Sequence, residues 1–137
     1  MLVAGAGVVG CETAMFMAGL GKRVVVVDQE GILVSEPVFI LNQASLLEKM
    51  NSLGIETIAG AELVDVEEGR ARIKTGGVES SIECDAVVLA LGFAPDGRVA
   101  EELSSLEGIE VKVIGDAVAP RKVLNAIWEG FHAARLI

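Results

Sequence analysis

The chain has 137 residues, 11 of them basic and 20 acidic, for a net charge of −9. That length holds one domain, or one domain with a piece of another, and the negative field, with no Lys/Arg cluster to offset it, excludes nucleic acid as a partner. Apolar residues make up 52% and aromatic residues 4%, with positive mean hydropathy, so the chain builds its core from Val, Ile, Leu, Ala and Gly, a mix suited to buried parallel strands.

Leu2-Val3-Ala4 reads as a short strand ending at Gly5, followed by a helix from about Val8 to Leu20 with Gly21 as its stop. The run Met1 to Leu20 is nearly uncharged, but Glu12 interrupts it, no basic residue precedes it and glycines crowd its start. It is neither a signal peptide nor a membrane span, and a soluble, cytoplasmic protein is expected. Arg23 to Asp28, with four consecutive valines, is a strand covered on both faces. Residues 29–37 read as a loop, Asn42 to Leu53 as a helix stopped by Gly54, and Ile55 to Ile58 as a third strand.

The period then changes. Leu63–Val66, Ala71–Lys74 and Val78–Cys84 are separated by Glu68-Gly69 and Gly76-Gly77 and read as three antiparallel strands joined by tight turns. The apolar strand Ala86–Leu91 follows and is broken by Gly92-Phe93-Ala94-Pro95. A polar helix over roughly 98–105, a strand at Glu110–Ile114 and a helix from about Arg121 to Ile137 complete the chain. The expected fold is α/β, a Rossmann-like doubly wound parallel sheet with a three-stranded antiparallel meander as one crossover.

Gly5-Ala6-Gly7-Val8-Val9-Gly10 is G-x-G-x-x-G. Its context sharpens the motif, because it follows a strand, opens a helix, and is answered by Asp28 at the end of the second strand. Gly5 suits the tight turn, Gly7 the close approach of a pyrophosphate, and Gly10 the packing of helix on strand. The helix start supplies N–H donors and a positive dipole end to the phosphates. Asp28 would accept from a ribose 2′-OH and repel a 2′-phosphate, favouring NAD over NADP. Glu12, read as lying in the first helical turn, has an ordinary role complementing the helix dipole. Asp116, after Gly115, is either a turn or capping acid or a carboxylate facing a ligand beyond a strand end. Cys11 and Cys84 form no C-x-x-C, so a redox disulfide, a zinc site and a disulfide scaffold are unsupported. Both read as packing residues. His132, the one histidine, has no acid–base partner in view, and Glu62, Asp65, Glu67 and Glu68 read as a solvated face. No residue stands out as a nucleophile or general acid, and no catalytic residue is assigned.

Gly5 to Asp28, the strand ending Ala90-Leu91-Gly92-Phe93-Ala94-Pro95, and Val113-Ile114-Gly115-Asp116-Ala117 together resemble the pyridine-nucleotide flavoprotein reductases. The tail Gly115 to Lys122, with Ala126-Ile127-Trp128-Glu129-Gly130, resembles the C-terminal region of the old-yellow-enzyme-related NADH:flavin oxidoreductases, the group of 2-enoate reductase, 2,4-dienoyl-CoA reductase and trimethylamine dehydrogenase. The resemblance implies that Gly5, Gly7, Val8, Val9, Gly10 and Asp28 bind the adenosine half of NAD(H). It also implies that Glu12 lies near the nicotinamide end, that Leu91-Gly92 pass close to the dinucleotide, and that Gly115-Asp116 contact the ribityl or phosphate region of FAD.

With a single G-x-G-x-x-G present, residues 1–95 are expected to form the NAD(H)-binding domain. Residues 96–137 would be the C-terminal part of an incomplete FAD-binding domain packed on it. Three residues between Met1 and Gly5 make the first strand short, and the flavin-bearing barrel, which needs roughly 250 residues, is not among these 137, so the chain reads as a fragment of a larger enzyme. It is expected to bind nucleotide without turnover alone, positioning NADH for hydride transfer to a flavin carried elsewhere; FAD would bind only with the missing parts. The stripe Val123, Leu124, Ile127, Trp128, Phe131 and Ala134 is expected to meet the rest of a flavoenzyme or a second copy. Two alternatives stay open: a non-catalytic nucleotide-binding or electron-transfer accessory that assembles through this helix, and a G-x-G-x-x-G that holds FAD rather than NAD.

Overall fold

Two stretches of β-forming valine and leucine, with alternate side chains pointing to opposite faces, organise the structure. The computed structural model describes residues 1–30 and 40–136, and the loop expected over 29–37 falls mostly outside them. The chain divides into two units, Met1–Leu91 and Gly92–Ile137.

In the first unit, β1 (Leu2–Ala4), β2 (Val25–Asp28), β3 (Glu56–Ala59) and β7 (Val87–Leu89) form a parallel sheet in the order β3-β2-β1-β7. Ala4 pairs with Val27 on one side and with Leu89 on the other. Helix α1 (Val8–Gly19) links β1 to β2, and α2 (Ile40–Ser52) lies between β2 and β3 in the chain. A separate antiparallel sheet, β4 (Ala61–Glu67), β5 (Arg70–Thr75) and β6 (Val78–Glu83), separates β3 from β7. This is the parallel sheet with antiparallel meander that the sequence predicts.

The strand period sorts the core into two layers. Val3, Val24 and Val26 pack with Cys11 and Ala14 of α1 and Met50 of α2. Leu2, Ala4, Val25 and Val27 pack with Ala61, Ala71 and Ile73 of the meander. Helices therefore cover one face of the parallel sheet and the meander covers the other. All four valines of Val24–Val27 are at most 3% exposed, each contributing about 2 kcal/mol of burial. The meander's acids Glu62, Asp65, Glu67 and Glu68 are all exposed, as the sequence predicts, and two of them are ion-paired on that face. Arg72 on β5 bonds Asp65 at 2.7 Å and pairs with Glu67 and Glu79 at 3.3 Å, and Arg70 pairs with Glu67. The Arg72 hydrogen bond holds the Asp65 carboxyl below the usual aspartate range.

The second unit contains α3 (Arg98–Ser104), a 3-10 turn at Gly115–Ala117 and α4 (Val123–Ala134). The strand expected at Glu110–Ile114 does not form. Ile114 has extended backbone (φ −141°, ψ 168°), but a strand needs a neighbour to complete its hydrogen-bond ladder, and no strand is present among the described residues of this unit. Gly115 is its one buried residue among those described. Val123, Leu124, Ile127, Trp128 and Phe131 of α4 stay 60–77% exposed, so the expected apolar stripe exists and is uncovered. Among the described residues no helix is long and apolar enough to cross a membrane.

Candidate functional site

The glycine turn leaves β1 at Ala4 and is fixed by contacts that few residue types would allow. Gly5 donates its N–H to the Val27 carbonyl at 2.8 Å and has φ +103°. A Cβ there would lie 2.2 Å from the Ala90 carbonyl oxygen, at the end of the β7 segment. At Gly10 a Cβ would lie 1.9 Å from the carbonyl oxygen of Gly5 itself and 3.3 Å from Ala90 Cβ. The expectation that Gly10 packs helix on strand thus becomes more specific: α1 sits on the turn's own carbonyl. Ala90, whose N–H bonds the Ala4 carbonyl at 2.7 Å, is a third member of this contact that sequence reading missed. Its signal, an alanine late in an apolar strand far along the chain, is not distinctive.

Gly7 caps α1 in extended conformation (φ −65°, ψ 177°) without a side-chain capping bond. The first helical bond runs from Cys11 N–H to the Gly7 carbonyl at 3.0 Å. The N–H groups of Val8, Val9 and Gly10 therefore have no helical acceptor, and the positive end of the helix dipole coincides with them. Glu12 is not in the first turn as expected, because α1 begins at Val8 and its first turn holds no acid. It lies one turn up the helix and is exposed, so no carboxylate of the first turn competes with an incoming anion.

Asp28 closes the other side. The Ala4–Val27 pairing, carried one step further, brings Asp28 beside the turn. Ala6 donates its N–H to Asp28 Oδ2 at 2.5 Å, and Glu30 donates its N–H to Oδ1 at 2.8 Å. An ionised carboxylate has about four acceptor positions, so ribose hydroxyls can still be received. The buried Cys11 thiol donates to the Ala6 carbonyl at 3.4 Å. Burial, with the Asp28 and Glu12 charges adding to it, pushes that thiol up to about 11. It is neutral and inert at physiological pH.

Gly5, Gly7, Val8, Val9, Gly10 and Asp28 thus converge at the carboxyl ends of β1 and β2. Leu91, 66% exposed, follows Ala90 at the end of the first unit, and Gly92 opens the second with φ +84°. Gly115 and Asp116 belong to the second unit and form a locus of their own. Gly115 has φ +64°, and a Cβ on it would press to 3.3 Å from Ala126 Cβ of α4. Its N–H goes to Glu129 Oε2 at 2.7 Å, and the other Glu129 oxygen pairs with Arg121. The Gly115 N–H, then Arg121, hold the Glu129 carboxyl below the usual glutamate range. Asp116 Oδ1 accepts the Arg121 N–H at 3.3 Å, and Asp116 lines an open hollow of about 290 Å³ with Phe93, Ala94, Asp96, Ala117 and Pro120. Glu129 went unassigned in the sequence because a lone glutamate on a helix looks like any surface acid. His132 packs near the Trp128 and Phe131 rings.

Comparison with known proteins identifies the family and the fold. The family model of the pyridine nucleotide-disulphide oxidoreductases matches residues 1–130. NADH oxidase of Thermoanaerobacter brockii is 31% identical over 137 residues, covering 98% of this chain and 21% of that protein. Cinnamate reductase of Clostridium sporogenes is 27% identical over 139 residues, covering 100% and 21%. Histamine dehydrogenase from Rhizobium sp. 4-9 has the same fold over 98% of this chain and 22% of its own, with a TM-score of 0.82 at 23% identity. The chain spans about a fifth of the length of the curated relatives it matches. With its family model matched over residues 1–130, the chain belongs to the pyridine nucleotide-disulphide oxidoreductase family.

Proposed function

We propose that the first unit binds NAD(H) and positions NADH for hydride transfer to a flavin carried outside these residues. The observation that carries this reading is the opening of α1: three N–H groups without helical acceptors, a cap without a side chain, and the Asp28 carboxylate across the turn. These residues fit a dinucleotide. The Val8, Val9 and Gly10 N–H groups would hold the pyrophosphate, and the remaining acceptor capacity of Asp28 would take the adenosine ribose. When bound, NADH supplies the hydride; the chain's residues orient it and screen phosphate charge. Neither free cysteine, Cys11 or Cys84, is given a redox role, since the family name carries no disulfide pair onto this sequence.

The finer assignment is to the old-yellow-enzyme-related NADH:flavin oxidoreductases. It is supported by the tail from Gly115 to Gly130 and by relatives whose names are NADH oxidase and cinnamate reductase. In that setting Asp116, an acceptor-only side chain on an open hollow, suits ribityl hydroxyls better than phosphate, and the Gly115 N–H is already taken by Glu129. We assign a cytoplasmic location on the two free thiols. The uncovered face of α4 is proposed to meet the remainder of a flavoenzyme; its exposure equally supports the accessory-subunit reading, with a second copy as occupant. Calorimetric titration with NADH, NADPH and FAD, alongside light scattering, tests both. Binding of NADH ahead of NADPH is the expected result, and tighter NADPH binding overturns the role given to Asp28. A preference for FAD would transfer the turn to the flavin.

A further inference from the structure

We infer that Asp28 is a positioning residue whose carboxylate, by accepting the Ala6 and Glu30 N–H groups, locks the glycine turn in the form that leaves the Val8, Val9 and Gly10 donors open. The inference rests on the nucleotide-binding reading above and shifts the main effect of Asp28 from the ribose to the turn. Ala6 is 0% exposed, so its N–H has no recourse to solvent if the acid is removed. Its carbonyl is engaged as well, by the Cys11 thiol at 3.4 Å, and the Gly5 N–H is held by Val27 at 2.8 Å. The orientation of the Ala6 peptide sets how the chain enters Gly7 and α1, and Asp28 is the side chain that fixes it, through a contact of 2.5 Å. The Glu30 N–H on the other oxygen, at 2.8 Å, fixes the carboxylate plane in turn. A hydrogen bond to an ionised acceptor is about twice as strong as a neutral one, so the brace holds best with the acid charged.

Two roles for one carboxylate predict opposite signs for a ligand that has no ribose. If Asp28 served the ribose alone, neutralising it would relieve repulsion and tighten the binding of inorganic pyrophosphate. If it braces the turn, Asp28→Asn weakens pyrophosphate binding by about tenfold, because the amide group of Asn can satisfy only one of the two N–H donors. Calorimetry on the full chain, wild type against Asp28→Asn, reads this directly; unchanged or tighter binding overturns the inference. A second readout needs no ligand. In amide hydrogen–deuterium exchange read by NMR, the Ala6 and Glu30 signals should both decay more slowly in the wild type than in Asp28→Asn. An Ala6 signal indifferent to Asp28 overturns the brace. A wild type that shows the protected amides but binds neither pyrophosphate nor NADH overturns the nucleotide reading and leaves the brace supported.

Discussion

Gly10→Ala and Gly19→Ala make the same chemical change in the same helix and are expected to move stability in opposite directions. In an ordinary helix each gains about 1 kcal/mol from propensity. At Gly19 nothing lies within 4 Å of the added methyl, so a gain of about 0.5 kcal/mol is expected at this terminal position. At Gly10 the methyl would sit 1.9 Å from the Gly5 carbonyl oxygen, where ordinary contact is about 3.5 Å. That oxygen is backbone on a turn pinned by Val27, Ala90 and Asp28, so it cannot swing aside. α1 must instead withdraw, loosening Cys11 and Ala14 from Val3 and Val26. Overpacking of this kind costs about 1–3 kcal/mol, and with an immobile neighbour the upper end applies, leaving a net loss of about 2 kcal/mol. Urea unfolding followed by far-ultraviolet circular dichroism measures both variants, with midpoints compared at unchanged slope. Fluorescence is unsuitable, since the one tryptophan, Trp128, lies in the second unit. A Gly10→Ala protein as stable as wild type would refute the packing argument, as would both variants shifting with the same sign.

A thiol-reactive disulfide reagent at mildly alkaline pH should label the half-buried Cys84 and spare the buried Cys11, with both reacting in denaturant. Because the Cys11 thiol is raised from 9.0 to about 11 in the folded chain, its stabilising effect is complete below the unfolded value and is lost as pH climbs through the folded one. Cys11→Ala should flatten that alkaline loss, and an identical pH profile for the variant would contradict it. Glu129, held below the usual glutamate range, favours the folded second unit at neutral pH and stops doing so as pH falls through its lowered value. Trp128 emission should therefore change in an acid step that Glu129→Gln removes; an unchanged step would show that the clamp on Gly115 is not what Trp128 senses.

Much of the fold was legible because its signals are local. Four consecutive valines cannot face water on either side, so Val24–Val27 announces a doubly covered strand, and the glycine-containing turns at Glu68-Gly69 and Gly76-Gly77 punctuate a meander. The strand expected at Glu110–Ile114 shows the converse. Its residues favour extension, but a strand is a pairing, and no sequence window records whether the neighbour is there. Glu12 differs for a smaller reason: the helix begins at Val8 as the sequence predicts, but Glu12 is its fifth residue and so falls just beyond the first turn.

By itself, then, the sequence determined the layers, the glycine turn and the acid that answers it, since each follows from side-chain period, backbone freedom or spacing within one supersecondary unit. Only the tertiary structure decided what those glycines avoid and what that acid holds. Ala90 reaches Gly5 through the sheet register, Asp28 reaches the Ala6 N–H because β1 and β2 run side by side, and Glu129 finds Gly115 across a helix. Each is a contact between residues 14 or more positions apart, and such contacts exist only once the chain has folded and brought their partners to one place.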